Sequence, residues 1–233
     1  MTPERYRRIC DTLDRRQPDL TVIMDGVHKP HNIAAIVRTC DAVGILDVHA
    51  ILPNNRARMA AGTAMGSQRW VKVHKRDESG SVIRELQGQG VQVLAAHLSD
   101  TAVPYREVDY TRPTALLLGT EKFGVSDEAA AAVDQHVIIP MMGMVESFNV
   151  SVAAAIILAE ACEQRRAKGF YDKPRIDPNR YHELLFRWGH EKIARLCDAE
   201  GIPYPELDDE GQVKNSAALT ALLRQKHSPD PEV

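Results

Sequence analysis

Six short runs rich in apolar residues recur along the chain: LTVIM at 20–24, LDVHAIL at 46–52, WVKVHK at 70–75, VQVLAAHL at 91–98, TALLLG at 114–119 and HVIIP at 136–140. Helical segments lie between most of them. Runs this short and this apolar suit strands buried on both sides. That is the situation in a parallel sheet, where each crossover lays a helix over one face. The pattern predicts an α/β fold, a mostly parallel sheet flanked by helices.

The helical periodicities fill in the rest. Pro3 to Arg16 reads as a helix with Thr2 as N-cap and Pro3 in the first turn. In NIAAIVRTCDAVG, Ile33, Ile36, Val37 and Cys40 make one apolar stripe, Arg38 lies one position off it, and Gly44 marks a C-terminal stop. A long helix is expected from about Val150 to Lys168, with Ala153, Ala154, Ile157, Leu158 and Ala161 inward and Gly169 ending it. Beyond Pro174 the alternation stops. Helices are expected around 181–188, 190–200 and 217–226. The predicted organisation is a helical extension over 1–19, a sheet domain over 20–170 and a second helical extension over 171–233.

Composition narrows the function. Aromatic residues are 5% of the chain, which argues against a stacking platform for single strands. The net charge is −3, but it is unevenly laid out. From His28 to Arg76 eight Lys/Arg, Arg56 and Arg58 among them, face two Asp, and from Asp77 to Gln135 four basic residues face ten acidic ones. Such a division creates a local positive field on an acidic protein, although a solvated face explains any one cluster as well. Arg7, Arg8, Arg15 and Arg16 add a second basic group. The four cysteines stand far apart with no C-x-x-C pair, so neither a disulfide framework nor a zinc knuckle is expected. MTPERYRRIC holds no apolar block and Glu160 interrupts the longest apolar run, so neither a secretory signal nor a membrane span is expected. A cytosolic protein with reduced thiols is the expectation. G-x-G-x-x-G after the first strand, G-x-x-x-x-G-K-[ST] and G-x-S-x-G are all missing, which sets aside dinucleotide, Walker-type and hydrolase-elbow chemistry.

Three loops at strand ends concentrate unusual residues, and in a parallel sheet ligands bind outside the carboxyl ends of the strands. The first holds His28, His31 and Asn32. The histidines lack a third ligand at a natural spacing, so no metal is expected, and Asn32 reads either as an N-cap or as a functional amide. The second, LLLGTEKFGVS, sets Glu121 and Lys122 between Gly119 and Gly124, a close approach to a ligand or a tight turn. Ser126 suits the start of the helix that follows. The third, IIPMMGMVESFNVS, sets Ser147, Asn149 and Ser151 at the head of the long helix, where they would cap it or bind a ligand at its positive end.

Together and in this order, NIAAIVRTCDAVG, LLLGTEKFGVS and IIPMMGMVESFNVSVAAAIILAE resemble the three signature motifs of the SpoU/TrmH class of SPOUT RNA 2′-O-methyltransferases. The flanks, RYRRICDTLDRRQPDLTVIMDGVHKPHN and the GIPYP tail, are similar to the branch acting on guanosine 18 of the tRNA D-loop. The resemblance implies a C-terminal deep trefoil knot and a homodimer whose interface contains the long helix and whose site uses both subunits. The implied cofactor is S-adenosylmethionine, held largely by backbone groups around Ala96, His97 and Leu98, at Gly119, and at Ile139, Met144 and Phe148. Ala96 stands where relatives often carry Thr, and Phe148 where Leu is common.

By the same resemblance Arg38 is the catalytic arginine, and Asn32, Glu121, Ser147 and Asn149 match the other motif positions. A guanidinium is effectively always charged. Arg38 is therefore either a strongly perturbed base or a clamp on the adjacent phosphate while phosphate or water takes the proton. Glu121 would brace the knot or pair a cation. Arg7, Arg8, Arg15 and Arg16 would contact tRNA phosphates. Two alternatives stay open: methylation of ribosomal RNA or the tRNA anticodon loop, and an RNA-binding protein without catalysis.

Overall fold

A computed structural model describes residues 1–51, 69–121 and 123–215. Arg56 and Arg58 of the basic stretch, Lys122 of the second loop and the helix expected over 217–226 lie outside the described residues. The chain divides into two compact units. One is Arg15–Arg175; the other joins Met1–Asp14 to the segment from Ile176 onward.

The larger unit is an α/β sheet. Its strands are β1 (Leu20–Asp25), β2 (Asp47–Ile51), β3 (Lys72–Arg76), β4 (Gln92–Ala96), β5 (Val103–Pro104), β6 (Thr114–Leu118) and β7 (Gln135–Ile138). They run parallel in the order β3-β2-β1-β6-β4-β7-β5. The two-residue β5 was not legible in the sequence, because so short a segment has no periodicity to detect. The register sets Met24 beside Leu118 and Ala95 beside Leu117, so β1, β4 and β6 end level. The loops that follow therefore meet at one edge.

Side chains alternate across the sheet, as the period of two requires. Leu20, Val22 and Met24 face a layer made by α2 (Pro30–Ala42) and α5 (Val150–Ala167), through Ile33, Ile36 and Val37 of one helix and Ala154, Ile157 and Leu158 of the other. Ile23, Ala115 and Leu117 face the opposite layer, where α3 (Ser79–Gly88) brings Val82, Ile83 and Leu86 and α4 (Asp127–Ala132) brings Ala129. The stripe read in α2 and the inward set read in α5 are the buried faces. Gly44 follows α2 at φ +87° and Gly169 follows α5 at φ +73°, backbone conformations that favour glycine.

Arg165 lies wholly buried inside α5. It donates to the Tyr110 and Arg112 carbonyls, to Gln17 Oε1 at 3.2 Å and to Asp19 Oδ1 at 2.6 Å, and Arg175 donates to both Asp19 oxygens. Burial by itself would raise the Asp19 carboxyl, but bonding to Arg175 and Arg165 outweighs it and holds the group below its ordinary range. The network fastens α5 to the segment entering β1.

The smaller unit is helical. In α1 (Pro3–Asp14) Thr2 Oγ1 accepts from the Arg5 amide, so the expected cap is in place. This helix packs on α6 (Pro178–Gly189), which Asp177 caps, and α7 (Glu191–Glu200) follows it. Tyr181 Oη donates to Asp14 Oδ1 at 2.8 Å. Among the described residues no helix is long and apolar enough to cross a membrane.

Arg7, Arg8 and Arg15 are exposed, whereas Arg16 is not the surface charge that was expected. Helix α1 ends at Asp14, so Arg16 leaves its periodicity. Its side chain is 1% exposed, paired with Asp41 at 2.5 Å and donating to the Asp41 and Ile45 carbonyls. A guanidinium there completes the carboxyl end of α2 and cannot reach a phosphate in solution.

Candidate active site

The loops after β4, β6 and β7 enclose a cleft of about 690 Å³. Ala96, His97 and Leu98 line it from β4, Gly119, Thr120 and Glu121 from β6, and Ile139, Met144, Ser147 and Phe148 from the long loop after β7. All seven residues that the resemblance implied for the cofactor thus share one cavity. Residues 141–148 make no hydrogen bond to another described residue, so their peptide groups are available to a ligand.

Gly119 has a reason of its own to be glycine. A Cβ at that position would meet the Gly124 carbonyl carbon at 2.0 Å. Thr120 and Gly124 exchange backbone hydrogen bonds of 2.7 and 2.9 Å, which closes the loop into a tight turn. The close approach is between two backbones, and the turn then presents Glu121. Ser126 anchors the far end by donating through its amide and hydroxyl to Asp25 Oδ2.

Asn32, Glu121 and Asn149, one from each loop, come together. Glu121 Oε1 accepts from Asn32 Nδ2 at 2.7 Å and from Asn149 Nδ2 at 2.7 Å, and Asn149 Nδ2 also lies 3.3 Å from Asn32 Oδ1. Glu121 Oε2 is ion-paired with Lys29. Sequence reasoning singled out the first three and missed Lys29 as a site residue; its only signals were its place three residues before Asn32 and its share in the basic stretch from His28 to Arg76. Asn32 is not an N-cap. Helix α2 begins at Pro30, so Asn32 sits inside the first turn, 2% exposed, with its amide turned to the other loops. Asn149 is an N-cap and more, since its Oδ1 accepts from the Ser151 amide while its Nδ2 reaches Glu121.

Arg38 is exposed on α2, makes no hydrogen bond or ion pair with a described residue and lines neither this cleft nor its neighbour. Ser147 is exposed at the cleft rim. His28 and His31 are exposed, with His28 Nδ1 3.1 Å from the Gly26 carbonyl oxygen. Among the described residues no three potential metal ligands cluster.

The chain is similar to known proteins in sequence and in fold. Residues 19–159 match the SpoU rRNA Methylase family, and residues 163–216 match the SpoU, rRNA methylase, C-terminal family. The chain is 50% identical over 226 residues to a tRNA (guanosine(18)-2′-O)-methyltransferase of Escherichia coli, covering 96% of this chain and 99% of that one. The crystal structure of the A. aeolicus TrmH/SpoU tRNA modifying enzyme superposes with a TM-score of 0.76 at 41% identity, over 82% of this chain and 97% of that one. An AdoMet-bound rRNA methyltransferase from Sinorhizobium meliloti superposes with a TM-score of 0.57 at 30% identity, over 67% of this chain and 59% of that one.

Proposed function

The chain belongs to the SpoU rRNA methylase family, and from that membership we infer that it transfers the methyl group of S-adenosylmethionine to the ribose 2′-hydroxyl of guanosine 18 in tRNA. The observation that carries the reading is near full-length identity to an enzyme of that name, with Asn32, Glu121 and Asn149 gathered beside an apolar cleft.

The cleft fits the cofactor. Its walls are largely apolar, and the main-chain groups of residues 141–148 are unbonded among the described residues, a combination that suits an adenosine carrying an alkyl sulfonium. The bound cofactor supplies an electrophilic methyl on a sulfonium. The residues of the chain bind, orient and manage charge. Asn32 and Asn149 hold Glu121, and Ser147 and Asn149 orient the ribose. Arg38 clamps the neighbouring phosphate while phosphate or water accepts the proton. Positioning and charge stabilisation then lower the barrier.

The reading includes a trefoil knot through the loops after β6 and β7, and a homodimer. Two observations support the dimer. Met142, Met144, Val145, Phe148 and Val152 are apolar and exposed around the head of α5, Met144 fully so. Arg38 lines neither the cleft nor the smaller cavity beside it, which is the arrangement expected if it acts in the site of a second copy. The exposed Arg7, Arg8 and Arg15 would contact phosphates of the tRNA.

The test is methylation of unmodified tRNA transcripts with labelled S-adenosylmethionine, followed by mapping of the blocked ribose. A single product at guanosine 18 is expected, and a product in the anticodon loop would refute the substrate.

A further inference from the structure

Beside the main cleft lies a second cavity of about 320 Å³. Thr120, Glu121 and Val150 line both, so whatever fills the smaller abuts whatever fills the larger. Its apolar walls are Val27, Val150 and Phe123, the last with 78% of its surface exposed, and its polar side holds the Lys29–Glu121 ion pair together with His28, Asn32 and Thr120. An apolar slot of that volume is at the lower end of ligand sites and of the size for one nucleoside.

The ion pair has capacity left. Glu121 Oε1 accepts from two amides and Oε2 from Lys29, which leaves Oε2 one lone pair of the four a carboxylate offers. Lys29 is half-exposed and its ammonium carries three N–H donors, of which Glu121 takes one. One wall of the slot therefore presents a donor directly beside an acceptor.

Guanine carries the complement. On its Watson–Crick edge the acceptor O6 neighbours the donor N1–H. Adenine reverses the order, with a donating amino group beside an unprotonated N1. We propose that this cavity takes the target base and that Lys29 and Glu121 read it as guanine, Lys29 donating to O6 and Glu121 accepting from N1–H. The proposal rests on the methyl-transfer reading of the main cleft, and it adds how the base is chosen. An adenine in the slot would set its amino group against the ammonium and its N1 lone pair against the carboxylate. Rejection thus comes from repulsion as much as from lost bonds. Val27, Val150 and Phe123 supply the apolar walls against which the base packs, as expected for a nucleotide drawn out of its stack.

The experiment compares tRNA transcripts carrying guanosine, inosine or 2-aminopurine at position 18, with the wild type, Lys29→Met and Lys29→Arg. Inosine keeps O6 and N1–H and lacks only the 2-amino group; 2-aminopurine keeps the amino group and lacks both. The wild type should methylate inosine-18 within about 3-fold of guanosine-18 and 2-aminopurine-18 about 10- to 100-fold more slowly, the discrimination of one good paired base contact. Lys29→Met should narrow the preference for guanosine over 2-aminopurine about 3- to 10-fold by lowering kcat/KM for guanosine, with Glu121 keeping the remainder, while Lys29→Arg keeps the whole preference. Unchanged S-adenosylmethionine binding by calorimetry establishes that Lys29→Met is folded.

Equal rates of the wild type on guanosine and 2-aminopurine would overturn the proposal. So would a Lys29→Met that slows every transcript by the same factor, the behaviour of a phosphate contact. A wild type that methylates no guanosine-18 transcript refutes the functional reading itself and takes the proposal with it.

Discussion

Asn149 holds the head of α5 with one end of its side chain and Glu121 with the other. Its Oδ1 accepts from the Ser151 amide at 2.9 Å, and its Nδ2 donates to Glu121 Oε1 at 2.7 Å. The cap of the long helix and the centre of the three-loop cluster are therefore one residue.

The two ends separate by mutation. Asn149→Ala removes both and should cost about 1 kcal/mol of stability as well as turnover. Asn149→Asp keeps the cap but sets a second carboxylate against Glu121. It should lose less stability than the alanine variant and still drop turnover about 100-fold or more. Urea unfolding together with steady-state rates checks the split, and an active Asn149→Asp would remove the amide from the mechanism.

Arg38→Ala should leave stability within about 0.5 kcal/mol, because the side chain is exposed and unpaired among the described residues. Turnover should vanish while S-adenosylmethionine affinity stays near normal. If Arg38 acts in the partner's site, co-expressing Arg38→Ala with Asn149→Asp should restore about a quarter of the activity, the statistical share of intact sites in a mixed twofold dimer. Absence of any recovery would put Arg38 to work within its own chain.

Neighbouring arginines should part company. Arg16→Ala breaks a buried pair and should destabilise by about 3 kcal/mol, the lower end for such a loss, since Asp41 keeps some contact with water. Arg15→Ala, joined to Arg7→Ala and Arg8→Ala, should barely change stability. It should instead weaken tRNA binding and flatten its dependence on salt. Thermal unfolding and binding titrations at several salt concentrations distinguish the two kinds of residue.

Stability should fall in acid partly through Asp19. Its carboxyl lies below the ordinary range when folded, through Arg175 and Arg165 and against the effect of burial. The contribution is thus fully present above the unfolded value near 3.9 and lost as pH drops through the lower folded value. Asp19→Asn should destabilise at neutral pH, because Arg165 then loses its buried counter-charge, and should flatten the acid limb. An unchanged acid limb would assign acid unfolding to other carboxylates.

Local order was legible wherever periodicity is physical. The alternation of short apolar runs with 3.6-period stripes determined the parallel sheet, its covering helices and the strand-end loops as the place for a site. The faces of α2 and α5 were readable because burial of a stripe is a property of the helix alone. The motifs carried Asn32, Glu121 and Asn149 as a set. Tertiary structure decided the partners. Asn32 faces inward because α2 starts at Pro30, and Lys29 meets a carboxylate ninety-two positions away because β1 and β6 end level. Arg16 is buried because α1 stops at Asp14, and Arg38, exposed on α2, lines neither the cofactor cleft nor the smaller cavity beside it. A residue's spacing fixes its direction within one element, but which distant element fills the space before it is set only when the sheet closes.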